Sequence, residues 1–147
     1  MAAVRSASVT WNGDLMSGNG TVSTDSSNSF ENLPVSWAAR TEQPEGQTSP
    51  EELLAAAHAS CFAMALSNEL ASAGTPPDEL HVSAQVTFDK TDAGWAVTSS
   101  ALQVLGRVPG SSPDAFRSAA ESARDGCPVS KALAGNVQLS VDATLEQ

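Results

Sequence analysis

A chain of 147 residues, 41% hydrophobic and 16% charged, has the length of one ordinary domain and is too apolar to be disordered or collagen-like. Seven Lys and Arg against seventeen Asp and Glu give a formal charge of −10, which repels phosphate backbones and anionic bilayers alike, so neither nucleic acid nor membrane is an expected partner. With three Trp, four Phe and no Tyr, core volume has to come from Ala, Val and Leu.

The opening MAAVRSASVTWNGD carries no apolar signal-like run. The longest uncharged apolar stretch, Leu53 to Leu66, is 14 residues, short of the roughly 20 that span a bilayer. A cytoplasmic location is the expectation, and there two cysteines 66 positions apart are more often reactive thiols or small core residues than a permanent staple.

In chain order, Val4–Trp11 and Gly20–Thr24 read as short strands around NGD and SGNG turns, with Val35–Arg40 as a third. TEQPEGQTSP is a loop. Ser49-Pro50-Glu51-Glu52 then spells a helix start, with a cap, Pro at the first helical position and Glu at the third to close a capping box. The helix runs to Ala73, where Gly74 and Pro76-Pro77 stop it, about 24 residues and roughly 36 Å. Apolar all round and rich in Ala, it predicts burial on every side, more than one chain of this size provides, and hence a homodimer.

His81–Asp89 alternates Val82, Ala84, Val86 and Phe88 on one face and returns as Trp95–Val108, a hairpin. Ser112 caps a further helix with Phe116, Ala119, Ala120 and Ala123 on one side and an Arg117–Glu121 pair on the other. Cys127-Pro128 opens a short helix through Leu133, and Asn136–Leu145 closes the chain as a strand. Strands segregated from helices predict an α+β fold in a single domain over residues 1–147.

The chemistry sits at the cysteines. Cys61, mid-helix, is a small hydrophobe unless a cation is brought to it, because an apolar site raises a thiol pKa. Cys127, between a helix-ending Gly and a Pro at a helix start, sits where backbone N–H groups favour a thiolate. His58 precedes Cys61 by three residues and shares its helix face. That pairing is compatible with a Cys61/His58 thiol hydrolase or acyl transferase, although a lone His on a buried helix is usually hydrogen-bonded core. Inert core thiols in a non-catalytic, small-molecule-binding dimer are a third reading. A zinc site wants more ligands than this one helix face supplies, so no metal site is expected.

SPEELLAAAHASCFAMALS, preceded by GNGTVSTDS and followed by DGCPVSKAL, resembles the osmotically induced protein C (OsmC) and organic hydroperoxide resistance (Ohr) family. The likeness extends to the WNGD, TVST, WAAR and DAGWAV segments, and His58 together with the WAAR arginine favours the OsmC branch. The resemblance implies an OsmC-like fold, with antiparallel sheets around a long buried central helix in an intertwined homodimer. It also implies a cysteine peroxidase of organic hydroperoxides that is reset by an external dithiol, and it implies no metal and no bound organic cofactor. Residue by residue, it makes Cys61 the peroxidatic cysteine, Cys127 the resolving cysteine, Arg40 the activating arginine and Glu51 its carboxylate partner.

Helix geometry adds an expectation of its own. Glu51 and Cys61, ten residues apart on one helix, are separated by about 15 Å along the axis and face different ways. An Arg40 paired with Glu51 then falls short of Cys61 of the same chain, which predicts active sites shared across a two-fold dimer.

Overall fold

In the computed structural model, which describes residues 1–146, the chain divides into two compact units, residues 1–53 and 54–147. The first unit holds an antiparallel sheet of β1 (Ala7–Asn12), β2 (Asn19–Thr24) and β3 (Leu33–Val35), with β2 in the middle. The register pairs Val9 with Val22 and Val22 with Leu33.

The expected third strand over Val35–Arg40 is not what forms. Pairing stops at Val35, and Ser36 caps a short helix, α1 (Trp37–Thr41), its hydroxyl accepting from the Ala39 N–H at 3.1 Å. A side chain that can cap, followed by two alanines, outweighs the β-branched and aromatic flanks.

The long helix α2 (Pro50–Ser72) begins and ends where the sequence predicts. Ser49 Oγ accepts from the Glu52 N–H at 3.1 Å, but the reciprocal half of the capping box does not form. Glu52 instead accepts from the Thr48 hydroxyl at 2.8 Å, a neighbour better placed than the Ser49 N–H. Gly74, at φ +86°, ends the helix in the left-handed conformation that glycine adopts without strain.

In the second unit, His58, Phe62, Leu66 and Leu70 form the buried stripe of α2. Burial on every side is not observed in the single chain, where Ala56, Ala57, Ser60 and Met64 are exposed. Next come β4 (Glu79–Thr91) and β5 (Gly94–Arg107), the expected hairpin, antiparallel with a bulge at Thr87/Phe88. Helix α3 (Pro113–Gly126), capped by Ser112, buries Phe116, Ala120 and Ala123. On its outer face Arg117 reaches back to Asp114 at 3.0 Å, in place of the predicted Glu121. Helix α4 (Pro128–Leu133) follows, and then β6 (Gln138–Leu145).

The sheet order is β4-β5-β6, and β6 lies parallel to β5, so the expectation of purely antiparallel sheets is corrected for this pair. A parallel neighbour needs a crossover, and α3 and α4 supply it. The core lies between this sheet and the helices, with Phe62, Leu66, Leu102, Val104 and Phe116 at its centre and Cys127 among them. The class is α+β, as expected.

Candidate active site

The four residues singled out in the sequence fall into two pairs, one in each unit. In the first unit, α1 delivers Arg40 in its last turn and α2 delivers Glu51 in its first. Arg40 Nε donates to both Glu51 oxygens, at 3.0 and 3.1 Å, and Nη2 donates to Oε1 at 2.7 Å. The carboxylate is nearly buried, 8% exposed against 29% for the arginine side chain. The Trp37 ring lies under the guanidinium at 5.9 Å, within cation–π range. Beside this pair is an apolar cavity of about 360 Å³ whose walls include Val9, Trp11, Val35, Trp37 and Leu53, with Arg40 on its lining. Together they make a fixed positive group beside a hydrophobic recess.

In the second unit, Cys61 of α2 and Cys127 at the start of α4 are free thiols. Cys61 packs against the buried cluster that holds Cys127, close enough for each thiol to shift the acidity of the other, a proximity that the sequence allows without showing. Their acidities diverge. Burial first, then the Cys127 neighbour, pushes the Cys61 thiol up, and the Val129 N–H offsets only part of this. Burial also works against the Cys127 thiolate, but the Ser130 N–H, the Cys61 thiol, the Ser130 hydroxyl and the Val129 N–H outweigh it, and its pKa is lowered. The Cys127 side chain makes no close capping bond of its own. The N–H groups at the mouth of α4 act on it at longer range, as the sequence position predicts.

His58, fully buried, is held at both ring nitrogens. Nδ1 is 2.6 Å from Ser100 Oγ on β5, and Nε2 is 2.8 Å from Ser130 Oγ on α4. Burial lowers its pKa, so the imidazole is neutral near pH 7. The reading of His58 as hydrogen-bonded core is correct. Neither serine was singled out in the sequence: Ser130 stands inside the CPVS segment, three residues after Cys127, whereas Ser100 carries no local signal at all. With both nitrogens committed to hydroxyls, His58 has no lone pair left to act as base toward Cys61, which removes the main support for a Cys61/His58 hydrolase.

Among the described residues no group of three or more His, Cys, Asp or Glu is placed to hold a metal ion, and no helix is long and apolar enough to cross a membrane.

The family model described as "OsmC-like protein" matches residues 43–142. The chain is 43% identical over 129 residues to Peroxiredoxin OsmC of Escherichia coli, covering 88% of this chain and 89% of that one. It is 36% identical over 109 residues to Organic hydroperoxide resistance protein OhrA of Bacillus subtilis, covering 73% and 72%. In fold it is similar to the crystal structure of the organic hydroperoxide resistance protein OhrB of Bacillus subtilis, with a TM-score of 0.72 and 23% identity, covering 95% of this chain and 98% of that one.

Proposed function

Because the chain belongs to the OsmC-like protein family, and is more similar to an OsmC than to an Ohr relative, we propose that it is a cysteine-based peroxidase that reduces organic hydroperoxides to alcohols. The observation that carries the mechanism is the placement of Cys61, a free thiol, against the buried cluster that holds the second free thiol, Cys127, near enough for each to shift the acidity of the other.

The Cys61 sulfur attacks the outer oxygen of ROOH. The O–O bond breaks, RO⁻ takes a proton and leaves as the alcohol, and Cys61 becomes a sulfenic acid. Cys127 then attacks the Cys61 sulfur as a thiolate and the S–O bond breaks. The hydroxide takes up the proton that Cys127 released, and water leaves behind a disulfide. An external dithiol returns the pair to two thiols by exchange.

The first step needs a cation, because burial opposes the Cys61 thiolate. Arg40 is the group we assign. It is permanently charged, offers paired donors, and is locked by Glu51 beside an apolar recess that suits an organic R group. Glu51 and Cys61 are ten residues apart on unbroken α2, about 15 Å along its axis. We therefore assign the Arg40–Glu51 pair that serves a given Cys61 to the second chain of a homodimer, with α2 as the element that packs between copies.

The experiment is intact mass before and after one equivalent of tert-butyl hydroperoxide. The expected result is a loss of about 2 Da per chain that a dithiol reverses. An unchanged mass with both thiols still titratable would overturn the proposal, and so would ester cleavage without loss of thiols.

A further inference from the structure

The mechanism above leaves one buried network unused. Ser100, His58 and Ser130 are 0%, 0% and 1% exposed and come from β5, α2 and α4. They form a line of hydrogen bonds, Ser100 Oγ to Nδ1 at 2.6 Å and Nε2 to Ser130 Oγ at 2.8 Å, that ends in the first turn of α4, three residues after its N-cap Cys127. From there the Ser130 hydroxyl favours the Cys127 thiolate.

Counting protons fixes the direction of the line. A neutral imidazole has one N–H and one lone pair, and each hydroxyl has one hydrogen to give. If Ser130 gives its hydrogen to Cys127, its oxygen must receive from elsewhere, and the only donor in the line is Nε2–H. Nδ1 is then the acceptor, and the Ser100 hydroxyl fills it. Every donor and acceptor is matched in this arrangement. In the reverse arrangement Ser130 donates to Nε2 and has no hydrogen for the sulfur, so Cys127 has to be the donor and remain a thiol. The first arrangement belongs to the thiolate and the second to the thiol.

We propose that Ser130 is a positioning residue for the resolving step, its hydroxyl aimed by His58 Nε2–H at Cys127 Sγ so that Cys127 meets the Cys61 sulfenic acid as a hydrogen-bonded thiolate. The inference rests on the reading of Cys127 as the resolving cysteine. It gives His58 a purpose other than that of a base: both ring nitrogens are bonded to serine hydroxyls, and the ring acts through Ser130. It also accounts for the cost of burying a histidine and two serines beside an otherwise apolar core, where any one of them left without its partner would be penalised.

The test separates the two steps. Wild type, Ser130→Ala and Ser130→Thr are each mixed with one equivalent of tert-butyl hydroperoxide, and sulfenic acid and disulfide are followed by quenched intact mass. In Ser130→Ala the ratio of the disulfide-forming rate to the sulfenic-acid-forming rate falls about ten-fold, the worth of one hydrogen bond to a charged sulfur. Ser130→Thr, which keeps the hydroxyl, restores most of it. A packing role gives the opposite order, because Ala is smaller than Ser and Thr larger in a closed site. The second readout is the ultraviolet titration of the Cys127 thiolate in a Cys61→Ser background, whose midpoint rises by about one unit in Ser130→Ala. An unchanged ratio and an unmoved midpoint in Ser130→Ala would overturn the inference, as would tolerance of Ala with loss in Thr. If wild type forms no disulfide, the peroxidase reading fails, and the Cys127 titration still decides the role of Ser130.

Discussion

Arg40 and Glu51 meet edge to edge, three hydrogen bonds of 2.7 to 3.1 Å joining the last turn of α1 to the first turn of α2. The pair links two helices separated by a loop, and its carboxylate is almost out of water. Removing one partner leaves a charge that the fold still partly buries. Glu51→Ala should therefore lower stability by about 2 kcal/mol, less than a fully buried pair because Arg40 retains some solvent. Denaturant titration checks it; a midpoint equal to that of wild type would show that the pair is no more than a surface ion pair.

The proposed sharing of sites between chains makes a separate prediction. Cys61→Ser and Glu51→Ala chains, each alone, are expected to be inactive or nearly so. Unfolding and refolding the two together should recover activity, because a mixed dimer then carries both lesions in one site and none in the other. If both residues act within one chain, no mixture recovers anything.

Roles at the two cysteines are separable. Cys61→Ser should abolish both peroxide reduction and sulfenic acid formation. Cys127→Ser should consume one peroxide per chain and then stall, visible as a mass gain of about 16 Da that climbs further with excess peroxide. Should Cys127→Ser fail to react even once, the two roles are reversed. That outcome is worth testing, because in the single chain Cys127 is the more acidic thiol.

His58 gives a pH dependence of stability. Its folded pKa lies below the ordinary value of 6.5, so between the two the unfolded chain binds a proton that the folded chain refuses. Stability contributed by His58 is then full above 6.5 and falls as the pH drops through the interval down to the folded value, by at most about 1.4 kcal/mol per pH unit. Comparing wild type with His58→Gln at pH 7.5 and 5.5 isolates this from the carboxylates; a difference that stays constant across that range would exclude it.

Gly106 stands where β5 passes α3. A β-carbon there would run into the Cζ and Cε1 atoms of Phe116, a fully buried ring with nowhere to move. Gly106→Ala should cost about 1–3 kcal/mol and lower the melting temperature by roughly 3–10 °C. Gly126, with nothing in reach of an added β-carbon, should tolerate alanine much better.

What the sequence revealed and what it concealed differ by range. The start of α2 is legible in Ser49 and Pro50 and its end in Gly74, because caps act on backbone groups within one turn. The misread segment at Val35–Arg40 is a competition between a capping serine and strand-forming neighbours, decided by a single local hydrogen bond. The partners of His58 were out of reach for another reason: Ser100 is 42 residues away and Ser130 is 72, and no periodicity encodes a meeting that only the packed sheet and crossover create. The parallel pairing of β6 is hidden in the same way, since an alternating pattern specifies a strand and a face but not a direction.

The juxtaposition of Cys61 and Cys127 also has a thermodynamic consequence. A bond between them ties a loop of 66 residues, and such a tie removes about 4 kcal/mol of chain entropy from the unfolded ensemble. The oxidised chain should accordingly outlast the reduced chain in denaturant. By the same cycle the native fold favours the bond over two thiols by that amount, relative to the unwound chain. In the proposed cycle a reductant that restores the thiols therefore works against the whole tertiary structure, and each turnover passes through the most heat-resistant form of the chain just before it is reset.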